Sequence, residues 1–256
     1  MKSLGFDLQQ ESTWNVVSQN VISSSAIERE YLDYGQVRSS FARHLGIHDS
    51  SPSKADHHVD GVVEMMLDSL ENYTESLTLN RLFGWRGALF PLGFSGMRRI
   101  SVGKLRDDEG PMQIVSRNSG LTEMVYFQAF SASVLYTELN KFLIWINTSY
   151  SEHSFIQVAV AHLWFITLHP FDDVNCLITR EITDMLLSKA VGTENRFFSM
   201  STQTQKDKDE YYHILEATQE GTLDITNYLL WFFDCLAKAI KASDAVVDKV
   251  LTEASF

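Results

Sequence analysis

From Phe155 to Leu168 the chain is apolar on almost every face. A helix of that kind cannot lie on a surface, so the fold has to be built around it. Its neighbours carry apolar residues at helical spacing. Val62, Met65, Met66 and Leu70 mark a helix over Val59 to Tyr73, and Leu135, Leu139, Phe142 and Ile146 mark one over Val134 to Thr148. Only four prolines and thirteen glycines interrupt 256 residues, which permits long helices and argues against a turn-rich sandwich. Helices are also expected over 12–34, Val37 to Leu45, Leu77 to Leu89, Asn175 to Lys189, 206–218 and 223–248. The cluster Ser23-Ser24-Ser25 reads as a break in the first of these, with serine as the N-cap of a second helix. Asn175 reads as the N-cap of the helix it opens.

Residues 94–131 differ, with short runs between Gly, Asp and Pro. Met112 to Val115 and Met124 to Phe127 are expected to pair as a β-hairpin across Arg117-Asn118-Ser119-Gly120. The expected class is all-α with one small hairpin. Residues 1–58 form N-terminal helices, 59–248 a helical core and 249–256 a tail.

A formal charge of −12 gives the chain no general attraction for nucleic acid. Arg98, Arg99, Lys104 and Arg106 make one modest basic cluster, which reads as a solvated edge. Cys176 and Cys235 have no CxxC neighbour, which fits a reduced, cytoplasmic chain. The start, MKSLGFDLQQES, lacks the apolar run of a signal peptide. Ile225 to Ala239 is broken by Thr226, Asn227 and Asp234, so no membrane association is expected.

The segment HPFDDVNCLITR, residues 169–180, follows the buried helix and stands out as a polar hinge. His169 has the chemistry of a general base. Asp173 has that of a divalent-metal ligand, and Arg180 that of a phosphate-binding fork. Together they suit phosphoryl or nucleotidyl transfer. The competing reading has His169 capping a helix and Asp173 and Arg180 in ordinary ion pairs. His57-His58 has no identifiable third metal ligand, and His162 reads as a core histidine.

The same segment resembles the Fic family signature HPFxxGNGRxxR, with an acidic fifth position. His169, Pro170, Phe171, Asp173, Asn175 and Arg180 match it. AHLWFITLHPF, DMLLSKA, YYHILEATQEGTLDIT and SSAIERE extend the resemblance over roughly residues 12–240. It implies a Fic-type helical core around a buried helix–loop–helix, with a hairpin flap. It implies AMP transfer from ATP to a hydroxyl of a target protein docked on that flap. His169 would be the base, Asp173 the Mg²⁺ ligand, and Asn175 and Arg180 phosphate contacts. SSAIERE resembles the family's inhibitory helix, which would pair Glu28 with Arg180; Arg29 stands where that pattern ends in Gly or Asn.

Three positions depart from the signature. Val174 and Cys176 replace glycines that let the backbone cradle phosphates, and Leu177 replaces an arginine. In related sequences a histidine is common where Arg86 stands. Three readings stay open: a degenerate Fic protein with little transferase activity, a weak adenylyltransferase held back by Glu28, and a Fic fold using another phosphate-containing ligand. For the last, a cysteine near a helix N-terminus can have a lowered pKa, which keeps Cys176 open as a reactive thiol, although a buried inert thiol is the leading account of it. The oligomeric state is open, a homo-oligomer included.

Overall fold

The apolar stretch folds as α6 (Ser154–Leu168), with α5 (Ala132–Thr148) on one side and α7 (Asn175–Val191) on the other. The computed structural model describes residues 6–46, 53, 55–107, 113–117, 123–148, 154–194 and 198–253, the side chains of 6–13, 113–128 and 244–253 excepted. Phe142 and Trp145 of α5 interlock with Trp164 and Phe165 of α6, ring centroids lying 5.4–5.6 Å apart across the two helices. Edge and tilted contacts of this kind add to the burial that holds the pair.

α3 (His57–Glu71) covers another face of α7 and carries α4 (Leu79–Leu89). Gly61 permits that second crossing: a Cβ there would meet the carbonyl oxygen of Ala88 at 2.1 Å. α1 (Phe6–Ile27) and α2 (Tyr34–His44) precede this pair. α8 (Met200–Lys206), α9 (Lys208–Gln219) and α10 (Thr226–Glu253) complete the helical set, with Tyr228, Trp231 and Phe232 of α10 packed around Tyr211 of α9 and His162 of α6.

Two antiparallel hairpins lie between α4 and α5. The first pairs β1 (Phe94–Ser95) with β2 (Arg98–Arg99). The second pairs β3 (Gln113–Arg117) with β4 (Glu123–Gln128), Ile114 facing Phe127. It is the expected hairpin, its strands a little longer; the expected turn at Asn118 to Gly120 lies outside the described residues. Among the described residues no helix is long and apolar enough to cross a membrane.

Three expectations are corrected. α1 runs unbroken to Ile27, and Ser23, Ser24 and Ser25 are not a cap but fully buried residues of its last turns. Ser24 bonds Arg180 of α7 and Ser23 bonds Thr202 of α8, which offsets the modest helix propensity of these two; the buried Ser25 hydroxyl has no partner among the described residues. α8 was not foreseen, because MSTQTQK has no apolar period; Ser199 caps it through the N–H of Thr202. Arg106 is not part of a solvated basic edge: it is 2% exposed.

Candidate functional site

The site is the loop from His169 to Val174, between the C-terminus of α6 and the N-terminus of α7. His169 leaves α6 with φ 47° and is 7% exposed. Its Nδ1 lies 3.3 Å from the carbonyl oxygen of Ile166. A carbonyl can only accept, so Nδ1 carries the proton and Nε2 keeps its lone pair. Burial pushes the imidazole down to about 4, so it is neutral near pH 7. From the other side Arg106 donates its Nε to the His169 carbonyl at 2.7 Å and its backbone N–H to that of Pro170 at 3.1 Å.

The loop is braced internally. Asn175 donates to the Phe171 carbonyl at 2.7 Å and accepts from the Phe171 N–H at 2.9 Å. It is therefore not the N-cap. That place belongs to Val174, which makes no side-chain cap bond. Val174 holds φ 60°, ψ 16°, the left-handed conformation that suits glycine. A β-branched residue thus occupies a left-handed turn that glycine would adopt without strain.

Asp173 accepts from the N–H of Val174 at 2.8 Å and from the hydroxyl of Ser95 on β1. It is the carboxylate available to a cation here. Among the described residues no group of three His, Cys, Asp or Glu side chains could hold a metal ion. A single carboxylate fits Mg²⁺ that brings most of its oxygen ligands from phosphates and water, and does not fit a resident metal. His58, away from the site, bonds Glu30 at 3.0 Å, which raises its pKa.

Arg180 lies one turn into α7 and is 3% exposed. Every arm of its fork is turned onto α1: Nε to the Ser24 hydroxyl at 2.7 Å, Nη2 to the Ser24 carbonyl at 2.9 Å and Nη1 to Glu28 at 2.9 Å. Burial, the largest single influence, opposes the guanidinium charge, but Glu28 and the neighbouring Tyr211 and Cys176 together hold the pKa above the usual arginine value. Just past Glu28, Arg29 takes φ 65°. The Glu30 N–H bonds the Ser25 carbonyl at 3.1 Å and the Arg29 N–H that of Ala26 at 3.0 Å, so α1 ends in the motif that glycine serves best.

Leu177 is 2% exposed and packs in the core, offering no donor to an anion. Cys176 agrees with the leading expectation of an inert thiol: burial pushes its pKa up, and Glu28 adds to that. His162 is the core histidine expected. Thr183 donates to the Thr179 carbonyl, so His162 donates Nδ1 to Thr183 and accepts at Nε2 from Tyr211 at 3.0 Å.

The structure thus brings His169, Asp173 and Asn175 into one loop, and Glu28 onto Arg180 in the helix that follows. Ser95, Arg86 and Arg106 were not singled out as site residues. Arg86 had a signal, being a lone cation within the aromatic run LFGWRGALF.

Residues 1–47 match a family described as a domain of unknown function, DUF4172. A stretch of 104 residues, 40% of this chain, is 28% identical to the protein adenylyltransferase Fic of Drosophila willistoni, and spans only 19% of that protein. A Fic family protein from Desulfovibrio desulfuricans G20 superposes with a TM-score of 0.69 at 18% identity, over 96% of this chain and 68% of that one. A Fic domain containing signaling protein from Bacteroides thetaiotaomicron VPI-5482 gives 0.68 at 18% identity, over 98% and 92%. The chain thus has the fold of these Fic proteins, and part of its sequence is similar to a protein adenylyltransferase Fic.

Proposed function

We propose that this chain is a weakened protein adenylyltransferase, held off by α1, that transfers AMP from ATP to a hydroxyl of a target protein. The observation that carries the reading is the engagement of Arg180. The one motif arginine retained is taken up by Ser24 and Glu28, 156 and 152 residues away in the chain. Nothing in ordinary core packing calls for a buried arginine fork to be met by a partly exposed glutamate.

In this reading neutral His169 takes the proton of the acceptor hydroxyl on Nε2, while Nδ1 and the Arg106 clamp on its carbonyl hold the ring and backbone in place. Asp173 would hold Mg²⁺, which would draw charge off the phosphates. The first-turn N–H groups of α7 meet phosphate oxygens, and Asn175 keeps the Phe171 backbone in place for them. Arg180, once released from Glu28, reaches the outermost phosphate. The β3–β4 hairpin receives the target as an added strand. Two features weaken the reaction: Leu177 supplies no cation, and the Val174 side chain crowds the turn. Losing one charge-assisted phosphate contact costs about 2 kcal/mol.

The test is calorimetric titration with ATP and Mg²⁺, followed by transfer of labelled AMP to the protein itself or a candidate target. Wild type binds no tighter than the high micromolar range. Glu28→Gly increases label transfer, and His169→Ala in that background abolishes it. A correctly folded Glu28→Gly protein that neither binds ATP nor incorporates label overturns the proposal. Low-micromolar affinity in the wild type overturns the claim of a weakened grip.

A further inference from the structure

Arg86 of α4 is completely buried, yet its Nε and Nη2 have no hydrogen-bond partner. Only Nη1 is bonded, to the carbonyls of Ser101 and Lys104. The guanidinium lies 4.6 Å over the ring of Phe171, the residue at the centre of the loop. Nη2 stands 3.9 Å from Asp172, whose carboxylate also takes the N–H of Ser101 at 3.4 Å. Burial pulls the Arg86 pKa down, against the fields of both Asp172 and Asp173.

A buried cation with two empty donors is costly, and a plain tether for Ser101 and Lys104 does not need one. Its charge acts on the adjacent carboxylates. Asp172 and Asp173 are consecutive in the loop, Asp173 beside the Ser95 hydroxyl and Asp172 turned toward Arg86 and the Ser101 N–H, and adjacent carboxylates are the kind of oxygen donors that hard cations bind. A fixed positive charge beneath them, with one carboxylate drawn toward it, works against that.

We propose that Arg86 prevents the Asp172–Asp173 pair from binding a divalent cation alone, so that the cation is admitted only with a polyphosphate whose negative charge outweighs the guanidinium. The inference rests on reading Asp173 as the metal ligand of the proposed function, and it makes Arg86 a positioning and specificity residue, not a catalytic one.

The experiment is titration of the full chain with Mn²⁺ and no nucleotide, following free Mn²⁺ by electron paramagnetic resonance. Wild type and Arg86→Lys bind no Mn²⁺ at sub-millimolar concentration. Arg86→Met binds it at least about tenfold more tightly, since a repulsive unit charge a few ångströms away is gone. Adding Asp173→Asn or Asp172→Asn to Arg86→Met removes the gain. If Arg86→Met does not fold, Arg86→Gln, which keeps a donor for the Ser101 and Lys104 carbonyls, carries the same expectation. A folded neutral variant with wild-type Mn²⁺ binding overturns the inference, as does a gain that survives Asp172→Asn. Failure here with ATP-dependent Mn²⁺ binding intact leaves the proposed function standing. A gained site in a protein that never binds ATP removes that function and overturns the polyphosphate half of this inference, leaving only the exclusion of the free cation by Arg86.

Discussion

Replacing Val174 by glycine should not destabilise the protein, whereas replacing it by alanine should. At an ordinary position the order is the reverse, because glycine adds chain entropy to the unfolded state. Val174 holds φ 60°, ψ 16°. A non-glycine residue held in that region costs about 1–3 kcal/mol, and a β-branched one is at the unfavourable end. The side chain is half-buried and packs on the core, so its removal loses about 1 kcal/mol. The added freedom of glycine costs about 0.5–1 kcal/mol. These terms nearly cancel, leaving the glycine variant within about 1 kcal/mol of wild type. Alanine loses the same burial and keeps a Cβ in the left-handed region, so it falls about 1 kcal/mol below wild type. The assay is urea unfolding of the three proteins, compared by midpoint at constant slope. An alanine variant more stable than the glycine variant by about 1 kcal/mol, the usual order, refutes the argument from backbone strain.

Gly61→Ala should destabilise by about 3 kcal/mol or more, since the new methyl would sit 2.1 Å from the Ala88 carbonyl oxygen; thermal unfolding checks this. Asn175→Ala should cost about 2–3 kcal/mol by leaving the buried Phe171 N–H and carbonyl without partners, read from the same unfolding curves. Acid should weaken the fold in a defined window. His162 and His169 titrate near 3 and 4 when folded and near 6.5 when unfolded. The unfolded chain therefore binds these protons more strongly, and stability is lost as pH falls from 6.5 toward 4, by about 1.4 kcal/mol per pH unit for each histidine. His162→Gln should roughly halve that slope in urea midpoints taken from pH 4.5 to 7; an unchanged slope contradicts the assignment.

How far the sequence could be read depended on how local each cause was. α6 was legible because an apolar period needs no partner to be recognised, and the β3–β4 hairpin because its apolar runs flank turn chemistry. HPFDDVNCLITR was legible because base, carboxylate and arginine lie within one turn and a loop. The Glu28 pair with Arg180 spans 152 residues, and no local rule links them; only the resemblance suggested it. The serines of α1 misled because a buried polar interface and a helix cap call for the same residue type. Arg106 misled in a similar way, since in sequence a cation that clamps a backbone carbonyl looks like one facing water. Asn175 sat one position past the cap because its amide closes on Phe171, a contact that exists only once the loop has formed.

The backbone adds something that neither composition nor motif contains. Among the described residues, the non-glycine residues at positive φ are Arg29, His169 and Val174. Arg29 follows the glutamate that holds Arg180, His169 is the candidate base, and Val174 is the turn into α7. Each such residue costs about 1–3 kcal/mol, so chance scatter through a helical fold is a poor account of three at one site. Two of them stand where the family pattern has glycine or, for Arg29, glycine or asparagine. If only packing mattered, the loop at Val174 would be free to relax into a conformation that valine prefers. It is held instead by the Asn175 clasp on Phe171, the Arg106 clamp on His169 and the buried charge of Arg86 behind Phe171. Those three contacts resist the strain and hold Val174 in a left-handed turn at the start of α7.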